Sequence, residues 1–165
     1  MSAGTIGVGC GAAIVRGGRI LLVKRLRPPE AGCWSLPGGR VELLERVESA
    51  VAREVREEVG VDVNVGTLLC FTQLVGVDGA HWVAPVYRAR LNVGEPRNCE
   101  PEKLAAIAWF HLDHPPSPLA SAAGDAIAAL KAEETMTDRL EDLHLRELIK
   151  SRSDEKGVPT DIETL

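Results

Sequence analysis

Residues 46–59, RVESAVAREVREEV, contain neither glycine nor proline, and Val47, Ala50, Val51, Val55 and Val59 recur at the spacing of one helix face. Gly60 follows at the place where a left-handed residue ends a helix. The segment therefore predicts a helix over 46–59, and its acidic residues are crowded. With Glu54 set at zero on a wheel of about 100° per residue, Glu58 falls at about +40° and Glu57 at about −60°. Val47 and Ala50 lie within about 40° of zero, and Val51 at about 60°. The acidic side is thus turned partly toward the protein body. Like charges one turn apart cost roughly 0.2–0.5 kcal/mol per pair even when exposed. Two charges ~4 Å apart at an effective dielectric of about 20 repel by ~4 kcal/mol. Such a cluster calls for a cation, and a hard divalent ion with oxygen ligands fits: Mg²⁺ takes one or two carboxylates and leaves its other positions to water and phosphate.

The rest of the chain surrounds this helix with strand signals. Residues 6–15 are small and apolar and read as one strand, and Gly17-Gly18 make a tight turn into a second strand at 20–23. Residues 24–31 are basic and proline-bearing, hence a loop, and 33–36 form a short apolar segment ending in Pro37-Gly38-Gly39. Strand-like stretches follow at 64–75, 82–91 and 105–112. After the break at 115–118, residues 121–131 read as an alanine-rich helix, 133–150 as a charged helical stretch and 151–165 as a polar, frayed tail. Strands, a central helix, more strands and a late helix predict an α/β fold, a mixed β-sheet flanked by helices on both faces. The expected division is a domain over 1–132 and a charged C-terminal helix and tail over 133–165.

Composition narrows the function classes. At 165 residues, 45% apolar and 26% charged, the chain suits one soluble core. No apolar run approaches the ~18 residues of a membrane span, and the N-terminus shows no basic stretch ahead of an apolar one, so a cytosolic location is the expectation. Cys10, Cys33, Cys70 and Cys99 are scattered without a C-x-x-C pair, which argues against zinc and redox motifs. A net charge of −5 disfavours a nucleic-acid polymer as partner, because phosphate neutralisation needs clustered Lys and Arg.

Alone, Arg53-Glu54-Val55-Arg56-Glu57-Glu58 could be an ordinary solvated face with Arg53 and Glu57 paired at i, i+4. The flanking residues favour chemistry. Trp34-Ser35-Leu36-Pro37-Gly38-Gly39 puts two glycines just before the helix, where backbone can approach a ligand and a loop entering a helix suits phosphate. Together the segment resembles the Nudix family, marked by G-x5-E-x7-R-E-U-x-E-E-x-G-U with U a bulky aliphatic residue. Gly39, Glu45, Arg53, Glu54, Val55, Glu57, Glu58, Gly60 and Val61 fill every fixed place. Residues 5–12 and the stretch Asn98-Cys99-Glu100-Pro101-Glu102-Lys103 with Trp109 are similar to the MutT-type, nucleoside triphosphate diphosphatase branch, and the resemblance covers roughly 5–130. One departure is Leu44, where family members usually carry glycine; it is expected to tighten the loop without touching the chemistry.

The resemblance implies a Nudix-type α/β/α sandwich that hydrolyses, with Mg²⁺ or alternatively Mn²⁺, the diphosphate bond of a nucleoside diphosphate linked to X. A nucleoside triphosphate cut to the monophosphate and pyrophosphate is the first expectation. An ADP-ribose or nucleotide-sugar pyrophosphatase is the alternative within enzymes, and a non-catalytic nucleotide-sensing module the alternative outside them. Glu54 and Glu58 are the implied metal ligands, with Glu57 a further ligand or outer partner, the Gly38 carbonyl a backbone ligand and Glu102 a contributor from a later loop. Arg53 is expected to orient the acids and Glu45 to support the loop. The general base is open between a motif Glu, Glu100 and Glu102. Arg25, Gly39 and His81 are the expected substrate contacts, with Lys24 and Arg27 as further phosphate candidates. Trp82 divides between base stacking and core, the second being slightly preferred. Trp34 and Trp109 read as core, and His111 and His114 beside Asp113 as a solvated strand end. A homodimer is left open.

Overall fold

The computed structural model describes residues 5–155, with side chains as far as residue 152. Seven strands and two helices follow the chain as β1 (Gly7–Val8), β2 (Gly11–Arg16), β3 (Arg19–Arg25), β4 (Trp34–Ser35), α1 (Val47–Val59), β5 (Val63–Val77), β6 (Ala80–Leu91), β7 (Leu104–His111) and α2 (Ser121–Glu155). The strands form one mixed sheet in which β6 runs between β1, β2 and β5, and β3 between β2, β4 and β7. β1 and β2 lie parallel to β6, and the other pairs are antiparallel.

Two hairpins set the register. Gly17 and Gly18 have φ of 57° and 70°, and Asp78 and Gly79 have 52° and 72°. Two successive residues with positive φ make the turn whose twist matches that of the flanking strands. The first hairpin pairs Arg16 with Arg19, and the second pairs Val77 with Ala80.

Strand alternation distributes the core over both sheet faces. On one face Ala12, Ile14, Leu21 and Val23 pack with Ala50, Val51, Val55 and Val59 of α1. On the other Ala13, Ile20, Leu22 and Val86 pack with Ala123, Ala126, Ile127 and Leu130 of α2. The expected mixed sheet with a helix on either side is what the chain forms. Val51, Val55 and Val59 are fully buried, and at ~1.5–3 kcal/mol per side chain their burial contributes ~4–9 kcal/mol as an upper estimate. That exceeds the few tenths of a kcal/mol that acid crowding costs a helix surface, so packing dictates where α1 puts its carboxylates.

The expected single strand over 6–15 is interrupted. The Gly9 N–H donates to the Val83 carbonyl and the Cys10 N–H to the Gly39 carbonyl, both at 2.8 Å. The Ala12 N–H donates to the Pro37 carbonyl, and the Val41 N–H to the Val8 carbonyl. The glycine loop after β4 is therefore laid along this strand, and its hydrogen bonds split the ladder into β1 and β2. The expected tail also needs correcting, since residues 151–155 continue α2 as helix; 156–165 lie outside the described residues.

The chain divides into two compact units at Leu130 and Lys131. Of the second, the described residues 131–155 continue α2, and 131–152 are exposed, Met136, Leu140 and Leu143 among them. No helix among the described residues is long and apolar enough to cross a membrane.

Candidate active site

α1 starts at Val47 without a side-chain cap and ends at Gly60, which has a φ of 69° and donates its N–H to the Arg56 carbonyl. On its inner side Glu58 is buried to 6% exposure among the valines. One carboxylate oxygen of Glu58 accepts the Gly38 N–H at 2.9 Å. Burial pushes this carboxyl up to about 8, opposed by the Gly38 hydrogen bond and reinforced by the charge of Glu54. Glu54 is also raised, first by burial, with Arg53 opposing. Two neighbouring carboxylates in a desolvated setting are each held above their ordinary range, which marks a place prepared for positive charge.

Arg53 spends all five of its N–H donors on the motif. Nε and Nη2 grip the two oxygens of Glu45 at 2.9 and 3.0 Å. Nη1 reaches Glu54 at 2.8 Å and Glu57 at 3.1 Å, and Nη2 also holds the Arg40 carbonyl at 3.0 Å. A planar fork is suited to this task, and an ammonium point charge is not. The guanidinium in turn holds Glu45 down to about 2. Glu45 closes its own loop by accepting the Glu42 N–H at 3.0 Å. Glu45 and Arg53 thus form the frame, and Glu54 is the acid the frame aims.

Gly38 is sterically required by the backbone beside it, and Gly39 leaves room for the Glu54 side chain. A Cβ on Gly38 would stand 2.2 Å from the Cys10 carbonyl oxygen, and one on Gly39 would stand 2.5 Å from the Glu54 carboxylate. At Gly39 the backbone thus runs directly against the Glu54 carboxylate, an approach that a side chain would obstruct.

Two adjoining clefts share Arg25, Gly38, Gly39 and Arg40. One, of about 310 Å³, is lined by the acids Glu54, Glu58 and Glu100 together with the cations Arg25, Arg27 and Lys103. The other, of about 250 Å³, has Gly9 and Gly11 in its lining, together with Leu74 and Trp82. An acidic cleft edged with cations suits a phosphate chain joined to a metal, and the more apolar one suits a flat organic group.

Each expected site residue has a definite place. Glu45, Arg53, Glu54, Glu58, Gly38, Gly39 and Arg25 come together here. Glu57 is half exposed and turned to Arg53. Glu102 is exposed and outside the cleft lining, whereas Glu100 is part of it and ion-paired to Lys103. His81 also falls outside, because Trp82 next to it faces the cleft and successive strand residues point to opposite faces. Arg27 lines the acidic cleft; the Lys24 ammonium lies 5.9 Å from the Trp34 ring centre. Trp34 packs edge-on against Phe110 in the core, and Trp109 packs on the α1 face beneath the Arg16 guanidinium. His111 accepts a hydrogen bond from Arg19.

Arg40 was not singled out in the sequence, yet its guanidinium lies 5.1 Å from the Trp82 ring centre and its residue lines both clefts. Nothing in the local sequence signals this. Asn98, two residues before the loop acid Glu100, is a turn signal that the sequence does carry.

The donors fit a hard divalent ion. Among the described residues no three His, Cys, Asp or Glu side chains are grouped so as to hold a metal by themselves. Glu54 and Glu58 with backbone oxygen make the all-oxygen, partial set that Mg²⁺ uses when water and phosphate complete its shell.

Residues 5–130 match the NUDIX domain family. A crystal structure of a MutT NUDIX hydrolase from Burkholderia pseudomallei is similar at 54% identity and a TM-score of 0.72, covering 76% of this chain and 98% of that one. A protein of Mycobacterium tuberculosis, named provisionally as 8-oxo-dGTP diphosphatase 2, is 45% identical over 89 residues, 52% of this chain and 61% of the relative. An ADP-ribose pyrophosphatase of Methanocaldococcus jannaschii is 50% identical over 56 residues, 34% of this chain and 33% of the relative. The chain thus spans about three fifths and one third of the lengths of these two relatives. With its motif frame assembled around α1 and the match running from residue 5 to residue 130, the chain belongs to the NUDIX family.

Proposed function

We propose that this protein hydrolyses the diphosphate bond of a nucleoside diphosphate linked to X in the presence of Mg²⁺, and that a nucleoside triphosphate cut to monophosphate and pyrophosphate is its substrate class. The observation that carries this reading is the pair of acids, buried Glu58 and partly buried Glu54, which line one cleft with Arg25, Arg27 and Lys103, beside an adjoining, more apolar cleft. Mg²⁺, when bound, supplies charge stabilisation on the phosphate oxygens and a more acidic water.

The chain's residues do the rest. Glu54 and Glu58 would hold the ion, with Gly38 offering backbone oxygen and Mn²⁺ as an alternative occupant. Arg53 keeps Glu54 aimed, and Glu45 keeps Arg53 in place. Arg25, Arg27 and Lys103 draw in and orient the phosphate chain. Trp82 presents an aromatic ring to the base, as indole does to planar groups. Glu100 is the loop acid positioned to take a proton, since it lines the cleft and Glu102 does not. The name of the Mycobacterium tuberculosis relative favours an oxidised purine nucleoside triphosphate for the first trial. The Methanocaldococcus jannaschii relative matches over a third of the chain and keeps ADP-ribose in the comparison.

The test is a panel of 8-oxo-dGTP, dGTP, ATP and ADP-ribose with Mg²⁺, scored by the phosphate species released. The reading predicts pyrophosphate from a triphosphate at the highest kcat/KM. Preference for ADP-ribose moves the substrate class to the alternative, and binding without turnover on every member returns the chain to a sensing module.

A further inference from the structure

The loop that brings Glu100 to the cleft is held by a side chain that is not part of the cleft. Its N-terminal end is docked on the last turn of α1: the Arg97 N–H donates to the Val59 carbonyl at 3.0 Å and the Cys99 N–H to the Glu58 carbonyl at 2.9 Å. Between those anchors sits Asn98, partly buried, with both ends of its amide engaged. Its Nδ2 donates to the Leu104 carbonyl at 2.8 Å, and its Oδ1 accepts the Glu100 N–H at 3.1 Å. The Glu100 carbonyl closes the ring by accepting the N–H groups of Lys103 and Leu104, each at 2.9 Å. Leu104, the far post of the clamp, is buried in the α1-side core and begins β7.

The result is a short chain segment fixed at two ends to rigid elements, with one amide spanning the gap. Glu100 and Lys103, the residues it presents, line the cleft beside Glu54 and Glu58 and pair with each other. Asn98 itself is absent from the lining. Only an amide supplies a donor and an acceptor from one planar group at this length, so Asp, Ser or Leu satisfies one end at most.

We propose that Asn98 is a positioning residue: by bridging Leu104 and Glu100 it sets where Glu100 stands relative to the two acids of α1. This inference rests on the hydrolase reading for its kinetic consequence, but not for its structural one. A group misplaced by about 1 Å from productive geometry can cost on the order of a hundredfold in rate.

The experiment compares Asn98→Ala, Asn98→Asp, Glu100→Gln and the double variant Asn98→Ala/Glu100→Gln in the full chain. Two readouts are taken, steady-state kinetics on the best substrate of the panel and residue-resolved amide hydrogen exchange. Asn98→Ala is expected to lower kcat at least tenfold with KM within threefold, and to speed exchange at the Glu100 and Leu104 amides at least tenfold while the α1 amides keep their protection. Asn98→Asp, which keeps the oxygen that accepts the Glu100 N–H, is expected to recover part of kcat. In the double variant, Asn98→Ala should add no further loss to Glu100→Gln. Losses that multiply in the double variant overturn the proposal, because they assign Asn98 an effect not routed through Glu100. Unchanged exchange at Glu100 in Asn98→Ala overturns it as well. A parent without hydrolysis on any substrate overturns the functional reading alone, and the exchange experiment still decides the clamp.

Discussion

Replacing Glu58 by Gln separates a carboxylate kept for its charge from one kept for its shape. The side chain is buried, its length and its acceptor for the Gly38 N–H survive the change, and only the negative charge goes. Burial lifts the Glu58 carboxyl from 4.5 to about 8 in the metal-free protein. A folded-state pKa above the unfolded one means the folded chain binds the proton more tightly. The stability this adds is fully present below pH 4.5 and is lost as pH rises through 8. At ~1.4 kcal/mol per pH unit, the loss across that interval approaches ~5 kcal/mol as an upper bound. Glutamine carries no charge and escapes it. Above pH 8 without divalent metal, Glu58→Gln should therefore melt higher than the parent by several degrees, at about 2–4 °C per kcal/mol for a chain of this size. Below pH 4.5 the two should melt together, and saturating Mg²⁺ should raise the parent more than the variant. Turnover should fall at least about a hundredfold, equivalent to ~2.7 kcal/mol of lost transition-state stabilisation. The assays are differential scanning calorimetry from pH 4 to 9 with and without Mg²⁺, and kcat at saturating substrate and metal. Unchanged turnover with a lower midpoint at every pH would instead make Glu58 a structural partner.

Three further substitutions probe the frame. Gly39→Ala drives a Cβ to 2.5 Å from the Glu54 carboxylate; kcat should drop at least about a hundredfold, the cost of misplacing a reacting group, with circular dichroism unchanged. Arg53→Lys loses the fork that spans Glu45, Glu54, Glu57 and the Arg40 carbonyl, so kcat should fall by at least ~1.4 kcal/mol, or tenfold, and activity equal to the parent would remove the orienting role. Leu44 is 97% exposed with a φ of 65°, a conformation costing a residue with a side chain ~1–2 kcal/mol, of which glycine's greater chain entropy takes back ~0.5–1; Leu44→Gly should raise the melting point by one to three degrees at unaltered kcat, and a lower melting point would show that Leu44 packs in solution.

What the sequence carried and what it did not divide along a physical line. The helix at 46–59 was readable to one residue, because its valine spacing, its acids and its glycine stop are all local. The assembly of Glu45, Arg53, Glu54 and Glu58 was readable from the motif. The break between β1 and β2 was not, since the groups that claim the Gly9 and Cys10 amides, Val83 and Gly39, lie far along the chain. That Trp82 lines the cleft and His81 does not follows from strand register, which a sequence shifts by one residue without visible change. Glu100 lines the cleft and Glu102 does not; the Asn98 contact to the Glu100 N–H spans two residues, but its other end is fixed only where the loop closes on Leu104. The positive φ at Leu44 shows the converse: the sequence marks that place as one where the family prefers glycine, and the backbone keeps the glycine conformation with leucine in it.

In the proposed reaction Glu54 and Glu58 serve a divalent cation. That role is tested most directly by measuring pyrophosphate release from a nucleoside triphosphate while Mg²⁺ is withdrawn with EDTA and then restored, with far-ultraviolet circular dichroism followed in the same sample. Activity should disappear with chelator and return with Mg²⁺ or Mn²⁺, with the helical signal unchanged throughout. Full pyrophosphate release in excess EDTA would contradict that role.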